Sequence, residues 1–409
     1  MAKILISFLG TGPISLSNNS KREYRKAAYS IDGIGVGESS FVASILYDHF
    51  KFDGLYLIGT SKSMWEEVYL YFSEKKSVDI DDEAYFNLAN IVASANHLTN
   101  SETIDLSVID NLLGPKSKTL CIPYGLNREE QIQIFSKLGK LFKSLEPNDE
   151  VILDVTHSFR SLPLFATSVI NYFRSLSKEI KFEKVYYGML DAMSEFDNIA
   201  PIIDISTTIE MQNWTTAAYS FKEYGKGKLL SDLLDGDDGK IVKTFSDAVN
   251  INYLNEIKTK LVNFKKKSDV GFDNAFANWV VPEVLELFTS RLYKSIKRQS
   301  FFQFELSLWH TEKENYSSAY IVLVESIITF GCEQKKVNWK EKASRDNIRD
   351  KIMKENLLGL KDIYTNTNKR RKNIAHNVQG RQNLVKEDIE YLKEAQKTFK
   401  SILNNANHG

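Results

Sequence analysis

Over about the first 200 residues, hydrophobic and polar positions follow two alternating periods. Short β-branched runs at Lys3 to Leu9, Gly54 to Ile58, Thr119 to Ile122, Val151 to Val155 and Lys184 to Leu190 predict strands. Between them, Ser39 to His49, Glu129 to Ser144 and Leu162 to Ser175 space their apolar residues at the helical period. Strand and helix in turn predict an α/β domain with a mostly parallel sheet covered by helices on its faces. In such sheets ligands bind where loops leave the carboxyl ends of the strands.

Beyond Asp204 the strand period disappears. Helices are predicted at Pro282 to Lys294, Tyr316 to Phe330 and Lys386 to Leu403, with a flexible joint at Asp235 to Gly239, where two glycines flank acidic residues. The expected organisation is an α/β domain over residues 1–205, an all-α linking region over 206–300 and a C-terminal helical domain over 301–409. No internal repeat or low-complexity tract interrupts it.

Composition narrows the chemistry. A chain of 409 residues with 43% hydrophobic and 12% aromatic content can form two or three cores. Lys and Arg number 53 and so do Asp and Glu, so any nucleic-acid site has to be local. Two cysteines, Cys121 and Cys332, exclude a disulfide framework and a CxxC cluster, which fits a reduced cytoplasmic setting. The apolar run of the first strand ends at Gly10, too early for a signal peptide, and the run from Tyr320 to Phe330 is interrupted by Glu325; no membrane span is expected. The 6 histidines form no HExxH or compact His/Cys arrangement, so neither a metal nor a cofactor is expected.

Two stretches concentrate candidate chemistry. The first strand runs into Gly10-Thr11-Gly12-Pro13, where small residues let backbone amides approach an anion and Thr11 offers a hydroxyl. This is neither the GxGxxG fingerprint nor a GxxxxGK[ST] loop, which disfavours a nicotinamide dehydrogenase or a P-loop ATPase. After the fourth predicted strand come Asp154, Thr156, His157, Ser158 and Arg160, leading into a helix. Asp154 can hold a loop amide or a neighbouring side chain, while His157 and Arg160 can meet phosphates. The alternative is a capping network with a satisfied histidine.

Near the C-terminus, Arg371-Lys372-Asn373-Ile374-Ala375-His376 places a permanent cation and an imidazole in a basic, helical neighbourhood. An arginine can stabilise a pentavalent phosphate, and a histidine exchanges protons near neutral pH. Arg370 satisfies a looser version of the same spacing. On an unbroken helix Arg371 and His376 lie about 140° apart, so bending or a second subunit has to bring them around one phosphate. A solvated arginine and a packed histidine form the alternative. Glu325, in apolar surroundings, calls for a partner, Arg371 or another basic residue.

The stretch Asp154-Val155-Thr156-His157 resembles the Asp-x-Thr-His-Gly motif of CRISPR-associated sensor proteins, a branch of the Rossmann-like family called CARF, with Ser158 at the glycine position. Phe8 to Gly12, Tyr24 to Tyr29 and Tyr186 to Gly188 support the resemblance, which spans about the first 200 residues. It implies a homodimer binding a cyclic oligoadenylate, cyclic tetra-adenylate or cyclic hexa-adenylate, in a pocket on the two-fold axis. Thr11 and Gly12 then look like its floor, and Thr156, His157, Ser158 and Arg160 like contacts to ribose or phosphate. Tyr24 and Tyr29 either shape the loop, stack on adenine or belong to the core.

The segment Arg371 to His376 in turn resembles the Arg-x4-6-His motif of HEPN ribonucleases, with Asn373 as an orienting residue displaced by one position. The resemblance implies metal-independent cleavage of single-stranded RNA in type III CRISPR antiviral defence, giving 2',3'-cyclic phosphate and 5'-hydroxyl ends. His376 would handle the proton and Arg371 the phosphorane, with cyclic oligoadenylate as allosteric activator. Two rivals remain open on these residues: a ring nuclease that cuts the cyclic oligoadenylate in the N-terminal domain, and a ligand-responsive nucleic-acid-binding regulator without catalysis.

Overall fold

The computed structural model describes residues 1–12, 14–15, 23–157, 159, 161–175, 180–376 and 384–405. Contacts divide the chain into two compact units, Met1–Ile209 and Glu210–Gly409.

The first unit is built on an eight-stranded sheet. Its strands are β1 (Lys3–Leu9), β4 (Ala27–Ile31), β5 (Ile34–Ser39), β6 (Gly54–Gly59), β7 (Lys118–Cys121), β8 (Glu150–Asp154), β9 (Lys181–Gly188) and β10 (Ile199–Asp204); a separate short pair joins β2 (Ile14–Ser15) to β3 (Glu23–Tyr24). The order across the sheet is β5-β4-β10-β9-β8-β1-β6-β7. Neighbours are parallel except for the β9–β10 and β4–β5 pairs. The mostly parallel sheet expected from the sequence is therefore present, with a hairpin added at one edge.

Side chains alternate across the sheet as strand geometry requires. Ile4, Ile6 and Phe8 of β1 join one core, under α5 (Arg128–Lys143) and α6 (Ser161–Ser175). Leu5 and Leu9 join the other, under α1 (Val42–Phe50), α2 (Trp65–Lys75), α3 (Asp82–Ser94) and α4 (Ser107–Leu113). Ser7 falls on this second face, at a position otherwise apolar, and is fully buried. The order of strands reverses at β1, which lies between β6 and β8, and that makes the crevice at their carboxyl ends the switch point of the fold.

The second unit is helical. It contains α7 (Thr207–Tyr224), whose first turn holds the boundary, α8 (Lys228–Asp232), α9 (Gly236–Asn250), α10 (Leu254–Val270), α11 (Ala275–Lys294), α12 (Gln299–Glu312), α13 (Tyr316–Gln334), α14 (Lys342–Glu355), α15 (Lys361–His376) and α16 (Leu384–Asn405). Two apolar clusters hold it together. Trp214, Phe221, Phe245 and Phe264 centre the first; Leu323, Ile327, Phe330, Leu392 and Phe399 centre the second. Helix α12 serves both, giving Phe302 and Leu306 to one and Phe304 to the other.

The expected joint at Asp235 to Gly239 is instead the start of α9. Asp237 and Asp238 lie in its first turn, where carboxylates favour the positive end of the helix. Gly239 is buried, and a Cβ there would stand 2.7 Å from the Ser231 carbonyl oxygen and 2.8 Å from that of Leu234, so the site has no room for a side chain.

His310, on α12, is 1% exposed, and neither ring nitrogen has a hydrogen-bond partner among the described residues. Burial pushes its pKa down to about 4. The unfolded chain protonates this ring near the ordinary value of about 6.5. Unfolding therefore takes up a proton between those values, and stability falls as pH drops through the window, by up to about 3 kcal/mol. Denaturant titrations from pH 7 to pH 4 should show that slope in the wild type and a shallower one in His310→Phe; equal slopes would contradict the assignment.

Candidate ligand cavity and basic helix

A cavity of about 450 Å³ opens at the carboxyl ends of β1, β6 and β8, lined by Leu9, Gly10, Thr11, Gly12, Thr60, Ser63, Thr156, His157 and Phe159. Thr11, Gly12, Thr156 and His157 are thus brought together as expected from the sequence. Ser158 and Arg160, named with them, lie outside the described residues. Thr60, Ser63 and Phe159 were not anticipated; the hydroxyl-rich run Thr60-Ser61 directly after the glycine ending β6 was the available signal.

Hydrogen bonds fix the two loops on the β1 and β6 side. The Ser63 hydroxyl donates to the Leu9 carbonyl oxygen at 2.6 Å and accepts from the Thr60 amide at 2.9 Å. The Met64 amide donates to the Gly10 carbonyl at 3.1 Å. Gly12 has φ of +56°, and a Cβ on it would lie 2.5 Å from Met64 Cε and 2.7 Å from the Tyr24 ring. Only glycine suits both the backbone and the space. Tyr24 itself is buried and donates its hydroxyl to Glu66 at 2.8 Å. Tyr29 is also buried, so both tyrosines belong to the core.

Asp154 organises the β8 side. It is fully buried and is the register partner of Ser7 across the sheet. One carboxylate oxygen accepts from the Ser7 hydroxyl at 2.5 Å; the other accepts from the Thr156 amide at 3.0 Å and the Thr156 hydroxyl at 2.5 Å. The Thr156 hydroxyl in turn accepts from the Gly188 amide at 2.8 Å, joining the loop to β9. Its proton is directed at Asp154, so Thr156 shapes the loop and can offer a ligand only an acceptor lone pair.

Of the two readings left open for His157, a phosphate contact or a capping network, its hydrogen bond matches the second. Its Nε2 accepts from the Val42 amide at 3.1 Å, at the start of α1. Phe41, at the N-cap of that helix, makes no side-chain cap bond, and no acidic residue occupies the first turn. His157 therefore satisfies an end amide that the local sequence leaves open. An accepting nitrogen carries no proton, so the ring is neutral with its hydrogen on Nδ1. Burial lowers the pKa of His157, against the opposing pull of the Asp154 carboxylate. The cavity consequently offers hydroxyls, loop backbone and a neutral imidazole between apolar walls, a surface suited to a polar ring system and its sugar.

The second candidate lies on α15. Leu360, just before it, and Ile363, Tyr364 and Thr367 form its buried stripe. The next positions on that stripe are Arg370 and Arg371. Arg370 forms an ion pair with Asp388 of α16, and its guanidinium stacks 4.4 Å from the Tyr391 ring centre. Arg371 is half-buried beside Tyr364, whose pKa is raised by burial and drawn back by the Arg349 and Arg371 guanidiniums. Lys372 and Asn373 are exposed. His376 is the last residue of α15, and its side chain lies outside those described. Glu325 pairs with Arg345, which also donates to Thr329 at 3.1 Å, so its partner is not Arg371.

Among the described residues no group of three or more His, Cys, Asp or Glu could hold a metal ion, and no helix is long and apolar enough to cross a membrane.

Residues 4–189 match the family described as CRISPR system endoribonuclease Csx1, CARF domain, and residues 210–296 match the second domain of CRISPR-associated protein MJ1674. The two matches make the chain similar, over those residues, to CRISPR-associated proteins of the Csx1 and MJ1674 kind. CRISPR-associated protein MJ1674 of Methanocaldococcus jannaschii is 33% identical over 355 residues, covering 81% of this chain and 54% of the relative, so the chain spans about half the relative's length. The structure of Enterococcus italicus Csm6 bound to cyclic hexa-2'-fluoro-hexa-dAMP aligns with 98% of this chain, and 94% of its own, at a TM-score of 0.41 and 12% identity. The match to the CARF domain contains every described residue of the cavity.

Asp154→Asn would turn an amide NH2 toward hydroxyl and amide donors. The expected cost is about 1–3 kcal/mol, the penalty for leaving a buried donor unpaired. Thermal unfolding would register it as a lowered midpoint; an unchanged midpoint would show that Asp154 does not carry the loop.

Proposed function

We propose that this protein is an endoribonuclease of type III CRISPR defence, switched on when a cyclic oligoadenylate binds the N-terminal cavity. Residues 1–205 are the sensor, 206–300 the linking region and 301–409 the HEPN ribonuclease domain. The observation that carries the reading is the combination, in one chain, of a CARF-type cavity at the strand ends with a basic helix ending Arg371-x4-His376.

Two features support a homodimer. A ring of four or six adenylates exceeds a cavity of about 450 Å³, and a two-fold pair of cavities gives a symmetric ligand a symmetric site. In addition, α15 is helical through to His376, so Arg371 and His376 emerge about 140° apart on one helix. A second copy can supply the complementary group to the same phosphate.

In the reaction, the ribose 2'-hydroxyl attacks the adjacent phosphorus and the bond to the 5'-oxygen breaks. His376 accepts the 2'-hydroxyl proton, and its counterpart on the second copy gives a proton to the departing 5'-oxygen. Arg371 stabilises the charge on the phosphorane, with Asn373 orienting the attacking group. The products carry a 2',3'-cyclic phosphate and a 5'-hydroxyl, and DNA lacks the nucleophile. The ring-nuclease account is weaker on the described residues, because the basic nitrogen of His157 is occupied by the Val42 amide.

Labelled single-stranded RNA in EDTA, with cyclic tetra-adenylate, cyclic hexa-adenylate or neither, tests the proposal. One ring should switch on wild-type cleavage, and Arg371→Ala and His376→Ala should each reduce it by at least about 100-fold. RNA left intact under every condition, or cut equally by the variants, would overturn it.

A further inference from the structure

Two adjacent arginines satisfy the spacing to His376, and the structure treats them differently. Arg370 is enclosed by a network from three helices. The Asp388 carboxylate pairs with it, the Tyr391 ring lies against its guanidinium plane at 4.4 Å, and the Asp388 carbonyl accepts the hydroxyl of Tyr320 at 2.6 Å. Tyr320 belongs to α13 and is 1% exposed, so the pair is fastened to the core of the unit.

We infer that Arg370 and Asp388 are a positioning pair for the ribonuclease site, resting on the proposed function above. Neither group touches RNA. The pair fixes the rotation of the last turns of α15, and with it the direction in which the neighbouring Arg371 leaves the helix. A planar guanidinium held by an ion pair on one edge and a ring on its face has little freedom to turn. Among the described residues no ion pair or ring contact ties Arg371 to α16, so its aim is set by the backbone that Arg370 secures. A misplacement on the order of 1 Å at a phosphate is enough to lose about 100-fold in rate, which gives the pair a large lever on turnover.

The test is steady-state RNA cleavage, with saturating activating ring, by Arg370→Ala, Asp388→Asn, the double variant and the exchanged pair Arg370→Asp with Asp388→Arg. Each single change should lower kcat by about 10- to 100-fold with KM little changed. The double variant should be no worse than either single one, and the exchanged pair should recover part of the loss. Ring affinity should stay at the wild-type value in all of them. Tyr391→Leu, which removes only the stack, should show a smaller loss of the same kind and serves where another variant fails to fold. A raised KM in Arg370→Ala together with wild-type kinetics in Asp388→Asn would overturn the inference, making Arg370 an RNA contact. Unfolding of every variant would also overturn it, leaving a stability role alone. If Arg371→Ala and His376→Ala cleave like the wild type, the proposed function fails; if they are inactive while the Arg370 and Asp388 variants are normal, only this inference fails.

Discussion

The first unit depends on a carboxylate with no contact to water. Asp154 stands at the end of a central strand, opposite Ser7 on one side and Tyr186 on the other, on a sheet face whose other buried side chains are mainly apolar or aromatic. A buried charge of this kind persists only when its lone pairs are met, and three donors meet them. Two of those donors belong to Thr156, which passes the constraint to β9 through Gly188. The next residue, His157, extends it to the first amide of α1. One ionised group thereby holds three strands and a helix end around a single opening.

The second unit applies similar physics with the charges reversed. Helix α15 packs apolar residues along its buried stripe until Thr367, after which the same stripe carries two cations. One is neutralised by a carboxylate and an aromatic face. The other, Arg371, has no ion pair among the described residues, and it is the one proposed above to stabilise the phosphorane. A difference between neighbouring arginines that share a charge and a helix thus follows from what α16 places opposite each.

Much of this was legible in the sequence because it is local. The β1 boundaries and the cluster after β8 follow from a strand period that ends in polar residues. The edge hairpin was missed although Asp32-Gly33 spells it: both residues have positive φ, the geometry of a two-residue turn. Strand β10 was hidden by Pro201, which looks like a strand breaker and is accommodated with its carbonyl accepting from Met189. The glycines around Asp237 suggested a loose joint because composition alone does not reveal that Gly239 lies against two carbonyl oxygens. For His157 the sequence left a phosphate contact and a capping role both open, for a different reason. Its partner is Val42, in a distant part of the chain, and only the fold decides which nitrogen keeps the proton. Spacing to His376 likewise cannot separate Arg370 from Arg371, since Asp388 makes the distinction from another helix.

The central claim is that the cavity and the basic helix are coupled, and coupling between two binding events is reciprocal. Calorimetric affinity of the activating ring, measured with and without an uncleavable 2'-O-methyl RNA, tests this without relying on turnover. The account predicts that RNA tightens ring binding by the same factor by which the ring tightens RNA binding, and that Arg371→Ala, which weakens the RNA end of the linkage, requires more RNA to reach that effect. Ring affinity indifferent to saturating RNA, with RNA affinity indifferent to the ring, would contradict it.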